Sequence, residues 1–131
     1  PLHSSAASDV YKRQHLSVWR FQLPAVMSIT HRITGVLLTT GTLLLAIWLM
    51  ALAFGEAYFN FVHAIITHPL GQMVLAGYSA VLFYHACNGV RHLFWDFGVA
   101  LDIPGVYLSG RIAIAFAVCL TIVFWTLIYF V

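Results

Sequence analysis

Apolar and polar positions alternate in long blocks along this chain. No Asp, Glu, Lys or Arg occurs between Arg32 and Glu56, between Glu56 and Arg91, or after Arg111. Each block can hold the roughly 20 apolar residues that a helix needs to cross a hydrocarbon core. The pattern predicts an all-α membrane protein with three transmembrane helices, spanning about residues 29–54, 69–92 and 111–130. Pro24 suits the first turn of a helix, and His68-Pro69-Leu70-Gly71 marks the start of the second span. Residues 55–67 read as a short connection and residues 96–110 as a loop, with Asp102-Ile103-Pro104-Gly105 as its turn signal. Ala51-Leu52-Ala53 resembles a signal-peptidase site, but the apolar run before it exceeds a signal peptide's and two more spans follow.

The two ends of the chain differ. Residues 1–14 are polar, lack an apolar period and read as a disordered or non-native leader, so the anchor domain is taken as 15–131. From His15 to Pro24 the alternation around Trp19, Arg20 and Phe21 suits a headgroup-level segment.

Composition agrees with the pattern: 62% of the 131 residues are hydrophobic and only 8% are charged, too few to cover a water-soluble surface. A net charge of +2 on scattered basic residues argues against nucleic acid as a partner. Cys87 and Cys119 lie in apolar stretches and read as small hydrophobes. Lys12, Arg13, Arg20, Arg32, Arg91 and Arg111 all fall on one side of the three predicted spans, whereas the first connection has no Lys or Arg. That side is expected to be cytoplasmic, or matrix if the membrane is the mitochondrial inner one. Trp19, Trp95 and Tyr107 suit an aromatic belt at the same level.

Histidine inside a span is a functional signal because lipid penalises polar groups. His85 is the one well inside. Gly89, His92 and Asp96 follow at steps of four, three and four, which gives one helical face a polar stripe with a gap at Gly89. Such a face fits haem b, with imidazole on the iron, glycine admitting the macrocycle, and His92 and Arg91 about 10 Å away toward the propionates. A helix–helix hydrogen bond from His85 accounts for the same residue without a cofactor. On the first span Ser28, His31 and Arg32 cluster near the entry. Ser28 and Arg32 could donate hydrogen bonds to a quinone carbonyl, although spacing alone favours a helix cap and an interfacial anchor. His3, His15, His63 and His68 read as solvated or interfacial, and Tyr78 and Tyr84 as packing groups.

Arg20-Phe21, Ser28-Ile29-Thr30-His31-Arg32-Ile33-Thr34-Gly35, Tyr84-His85, Gly89-Val90-Arg91-His92-Leu93 and Asp96-Phe97-Gly98 together resemble the succinate dehydrogenase cytochrome b556 subunit family. The resemblance covers about His15 to the C-terminus. It implies a complex II membrane anchor, half of a heterodimeric helical bundle around haem b. Its implied partners are a second small hydrophobic anchor subunit, an iron–sulfur subunit and a flavoprotein subunit. It implies His85 as an axial ligand of the haem iron, Ser28 and Arg32 as quinone-binding, Arg32 and His92 on the propionate side, and His31 and Asp96 in a supporting polar network. Ubiquinone is the implied exchangeable substrate. The residues before the first span depart from the family, since Lys12-Arg13-Gln14 replace its usual Pro-containing lead-in.

Succinate oxidation itself falls to another subunit, because this chain has neither a dinucleotide fingerprint nor a cysteine cluster for iron–sulfur ligation. A fumarate reductase anchor, a haem-free structural anchor and a small transporter are the rival readings; the transporter lacks mid-membrane charges to line a path. With one histidine at the right depth, the second axial ligand is expected from the partner anchor.

Overall fold

The structure, a computed structural model, describes residues 22–131. The leader, the headgroup segment up to Phe21 and the basic residues Lys12, Arg13 and Arg20 lie outside the described residues. Four helices follow in order: α1 Leu23–Phe54, α2 Glu56–Thr67, α3 Pro69–Asp96 and α4 Ile103–Phe130. Of these, α1, α3 and α4 are long and apolar enough to cross a membrane. At 1.5 Å per residue α1 is about 48 Å long, against about 30 Å of hydrocarbon, so part of it reaches beyond the apolar layer.

The sequence explains the boundaries, and the structure corrects two expectations. Pro24 lies in the first turn of α1, where its missing N–H costs nothing. Gly55, at φ 112°, ends α1 in a backbone region that side chains rarely enter. Residues 56–67 are not a plain connection but helix α2, too short to span, whose Tyr58, Phe61 and Val62 meet Ile47, Met50 and Ala51 of α1 around an apolar groove. The His68 ring, exposed as expected, also caps α3 by accepting the Leu70 N–H at 3.2 Å. The loop predicted over 96–110 is shorter, because α4 begins at Ile103. Asp102 accepts the Gly105 N–H at 3.3 Å as its N-cap and Pro104 sits in its first turn, so a tetrapeptide that reads as a turn is a helix start.

The core is small. Among the described residues Met27, Ala51, Ala113 and Ala117 are the buried hydrophobic ones, while large side chains such as Leu44, Phe116 and Val118 are exposed. In water this would be untenable; lipid and partner helices are the medium such faces suit. Gly110, Ala113 and Ala117 recur on one face of α4 and let it pack tightly. A Cβ at Gly110 would lie 2.8 Å from Met27 Sδ of α1 and 3.5 Å from Arg91 of α3, so glycine marks the meeting point of three helices.

Two sets of side-chain bonds hold the spans. Across α1 and α3, Thr30 meets Tyr84, Thr34 meets His85 and Thr40 meets Tyr78. Across α3 and α4, Arg91 meets Ser109, Ser79 accepts from Trp125 Nε1 at 2.7 Å, and Gln72 accepts from Tyr129 at 3.0 Å.

Candidate functional site

The site lies between α1 and α3, toward the end of the bundle that carries Arg32, Arg91 and Arg111. Thr34 projects from α1 and is only 8% exposed. Its Oγ1 is 2.8 Å from the His31 carbonyl and 2.9 Å from His85 Nδ1. A carbonyl can only accept, so the bond to His31 uses the hydroxyl proton. With that proton so placed, the hydroxyl oxygen accepts from His85, Nδ1 is the protonated nitrogen and the Nε2 lone pair lies in the ring plane. A neutral imidazole of this tautomer is a good metal ligand.

Two further features of α1 hold the ring. The His31 imidazole stacks on that of His85 with centroids 3.9 Å apart and planes 9° from parallel. Gly35 provides a flat backbone surface, because a Cβ there would stand 3.3 Å from His85 Cε1. Rings stacked this way direct their in-plane lone pairs past one another, so His31 and His85 do not face a common atom from opposite sides.

The other expected residues fall into three groups. His92 joins the cluster, its ring 5.3 Å from His31 and edge-on to Trp95 at 4.9 Å. His31 Nδ1 and Trp95 Nε1 are buried polar atoms with no partner among the described residues, and Trp95 lies beside His92 in this cluster. Gly89 presents open space, since a Cβ there would meet nothing within 4 Å. Ser28 and Arg32 follow one another by a turn on α1, Ser28 half-buried and Arg32 exposed. Because α1 begins at Leu23, Ser28 is interior to the helix and does not cap it. Asp96 ends α3, one turn after His92, exposed and with no side-chain hydrogen bond among the described residues.

Arg91 differs most from its sequence reading. It is 5% exposed, and its donors are taken up within the chain. Nε donates to Ser109 at 3.0 Å, one terminal nitrogen to Asn88 Oδ1 at 3.1 Å and the other to the Val106 carbonyl at 2.9 Å. Its guanidinium also lies 4.1 Å from the Trp95 ring centroid. Neutral acceptors and an aromatic face thus satisfy a buried cation. Asn88, fully buried, extends the network to the Met27 carbonyl at 3.4 Å, tying α4 through α3 to the start of α1.

Thr34 and Asn88 are absent from a reading that looks for charges and histidines. Their signal was position: Thr34 one turn after His31 and beside Gly35, and Asn88 three residues from both His85 and Arg91 in an otherwise uncharged run.

Residues 11–124 match the family described as Succinate dehydrogenase/Fumarate reductase transmembrane subunit. The chain belongs to that family. Over 121 residues, 89% of this chain and 94% of the relative, it is 36% identical to the succinate dehydrogenase cytochrome b556 subunit of Rickettsia felis. The corresponding protein of Paracoccus denitrificans is 38% identical over 116 residues, 88% of each chain. The mitochondrial cytochrome b560 subunit of Mus musculus is 34% identical over 108 residues, 79% of this chain and 63% of that protein. Family membership and three membrane-length helices make this chain a multi-pass membrane anchor of complex II type.

Proposed function

We propose that this chain binds haem b through His85 and forms part of a quinone site through Ser28 and Arg32, in a complex that passes electrons from succinate to ubiquinone. The observation that carries the reading is the contact of His85 Nδ1 with Thr34 Oγ1 at 2.9 Å, which engages that nitrogen and leaves Nε2 for a ligand. The open backbone at Gly89 suits a flat macrocycle on the same face. His92 and Arg32 lie nearer the basic end, where propionates would be met. Bound haem supplies a one-electron store within the membrane. What the chain itself contributes is orientation of the imidazole, exclusion of water by apolar helices, and donors for a quinone oxygen.

Arg32, exposed and charged, can donate to a carbonyl oxygen as negative charge builds on it, with the Ser28 hydroxyl one turn away. Ser28's position inside α1 favours this role over capping. The curated relatives are named for succinate dehydrogenase, which favours succinate oxidation over the fumarate reductase direction.

Because His31 is stacked beside His85 and not opposite it, a second axial ligand is assigned to a histidine of the partner anchor subunit. An iron–sulfur subunit and a flavoprotein complete the complex. The Arg32, Arg91 and Arg111 end faces the cytoplasm of a bacterium or the matrix of a mitochondrion.

The test is His85→Ala in the whole complex, purified and examined as a reduced-minus-oxidised spectrum. Loss of the b-type band with all subunits present is expected. A band of full intensity removes His85 as the ligand.

A further inference from the structure

We propose that Thr34 is the positioning residue of the haem, setting the electron-donating strength of the His85 imidazole through the bond Nδ1–H to Oγ1. The proposal rests on the reading of His85 as axial ligand and adds to it the residue that governs the ligand's chemistry.

Three observations on α1 converge on the ring. Thr34 Oγ1 stands 2.9 Å from Nδ1 and is itself polarised by donating to the His31 carbonyl at 2.8 Å. The His31 ring stacks at 3.9 Å and blocks rotation of the imidazole out of its plane. Gly35 allows the approach, with His85 Cε1 within 3.3 Å of where a Cβ would be. The hydroxyl is nearly inaccessible, at 8% residue exposure, so water does not readily replace it as acceptor.

An acceptor on Nδ1–H draws the proton outward and leaves more electron density on Nε2. A more basic ligand stabilises ferric iron over ferrous iron. In a chain of bonds each member polarises the next, so the relay from imidazole through hydroxyl to carbonyl strengthens the effect. Thr34 therefore holds the reduction potential lower than an unsupported histidine would, and excludes the tautomer that would present N–H to the iron.

The experiment compares Thr34→Val, which keeps the shape and removes the hydroxyl, with Thr34→Ser, which keeps the hydroxyl, each in the full complex. The readout is the haem midpoint potential by redox titration of the b-type absorbance. In Thr34→Val the ferrous form should gain between about threefold and tenfold in its equilibrium with ferric, tenfold being about 59 mV for one electron. Thr34→Ser should restore the original potential. If Thr34→Val does not assemble, Thr34→Ala removes the same hydroxyl with no added methyl at that branch and reads the same quantity. A potential unchanged or lowered in the hydroxyl-less variants overturns the proposal while leaving His85 as ligand. An equal upward shift in Thr34→Ser also overturns it, since volume and not the hydroxyl would then be responsible. Failure of the ligand reading is separate, because it appears as full haem retention in His85→Ala.

Discussion

The seam between α1 and α3 and the seam between α3 and α4 are both crossed by polar side chains, yet they are built for different ends. Across α1 and α3, besides the Asn88 bond to the Met27 carbonyl, the rungs Thr30–Tyr84, Thr34–His85 and Thr40–Tyr78 each set a hydroxyl against an aromatic or imidazole group, and the middle one engages His85 Nδ1. Across α3 and α4 they are Arg91 with Ser109 and Val106, Ser79 with Trp125, and Gln72 with Tyr129. There each of these polar side chains has a partner within the chain. One seam orients a reactive ring and the other fixes helix register. Polar groups in a lipid-embedded bundle are therefore not equivalent markers of function; what matters is whether a valence remains after the chain has used its own.

The strongest way to break this contrast is at Arg91. Arg91→Ala takes the guanidinium from Asn88 Oδ1 and Ser109 Oγ, while the Val106 carbonyl keeps the Ser109 hydroxyl at 3.1 Å; a buried group left unsatisfied costs about 1–3 kcal/mol. Assembled complex in the membrane should fall severalfold, measured by quantitative blotting against an integral-membrane control, while the haem potential of the surviving complex stays unchanged. A shifted potential at normal abundance would mean that the architectural seam also tunes the site.

Arg32→Leu probes the proposed quinone site on α1. Loss of a charge-assisted donor at a developing oxyanion costs roughly a hundredfold in rate. Succinate:quinone activity should drop by that order, with succinate oxidation by an artificial acceptor largely retained. Equal loss of both activities in an assembled complex contradicts a quinone role.

Ser79→Ala should give the smallest effect. It removes one rung, from Trp125 Nε1, where interhelical hydrogen bonds in membranes average about 0.6 kcal/mol. The midpoint of unfolding in mixed detergent should shift slightly, and both haem content and turnover should be unaltered.

The three spans were legible because an uncharged apolar run of this length is suited to lipid and to little else, and His85 stood out because imidazole is rare at that depth. Family-like motifs brought Ser28, His31 and Arg32 to one end of the bundle, as the described helices do. Helix α2 was hidden between Gly55 and His68-Pro69, breakers that also flank ordinary connections. The start of α4 was hidden because Asp followed by Pro serves turns and helix N-termini alike. Arg91 reads as an interfacial charge until tertiary structure supplies Asn88, Ser109 and the Val106 carbonyl, which lie three to 18 residues away. Thr34 carries no charge and sits among other threonines, so only its contact with His85 Nδ1 reveals its part.

The position of the His85 partners along the chain bears on biogenesis. His31, Thr34 and Gly35 all precede His85, so a ribosome has made the whole imidazole seat by the time α3 is complete, before any of α4 exists. Arg91, by contrast, must wait for Val106 and Ser109 to be translated. During that interval its long side chain can reach the headgroup layer from the end of α3. Insertion of α4 then draws it inward, so the α3–α4 seam closes after the side chains around His85 are already in place.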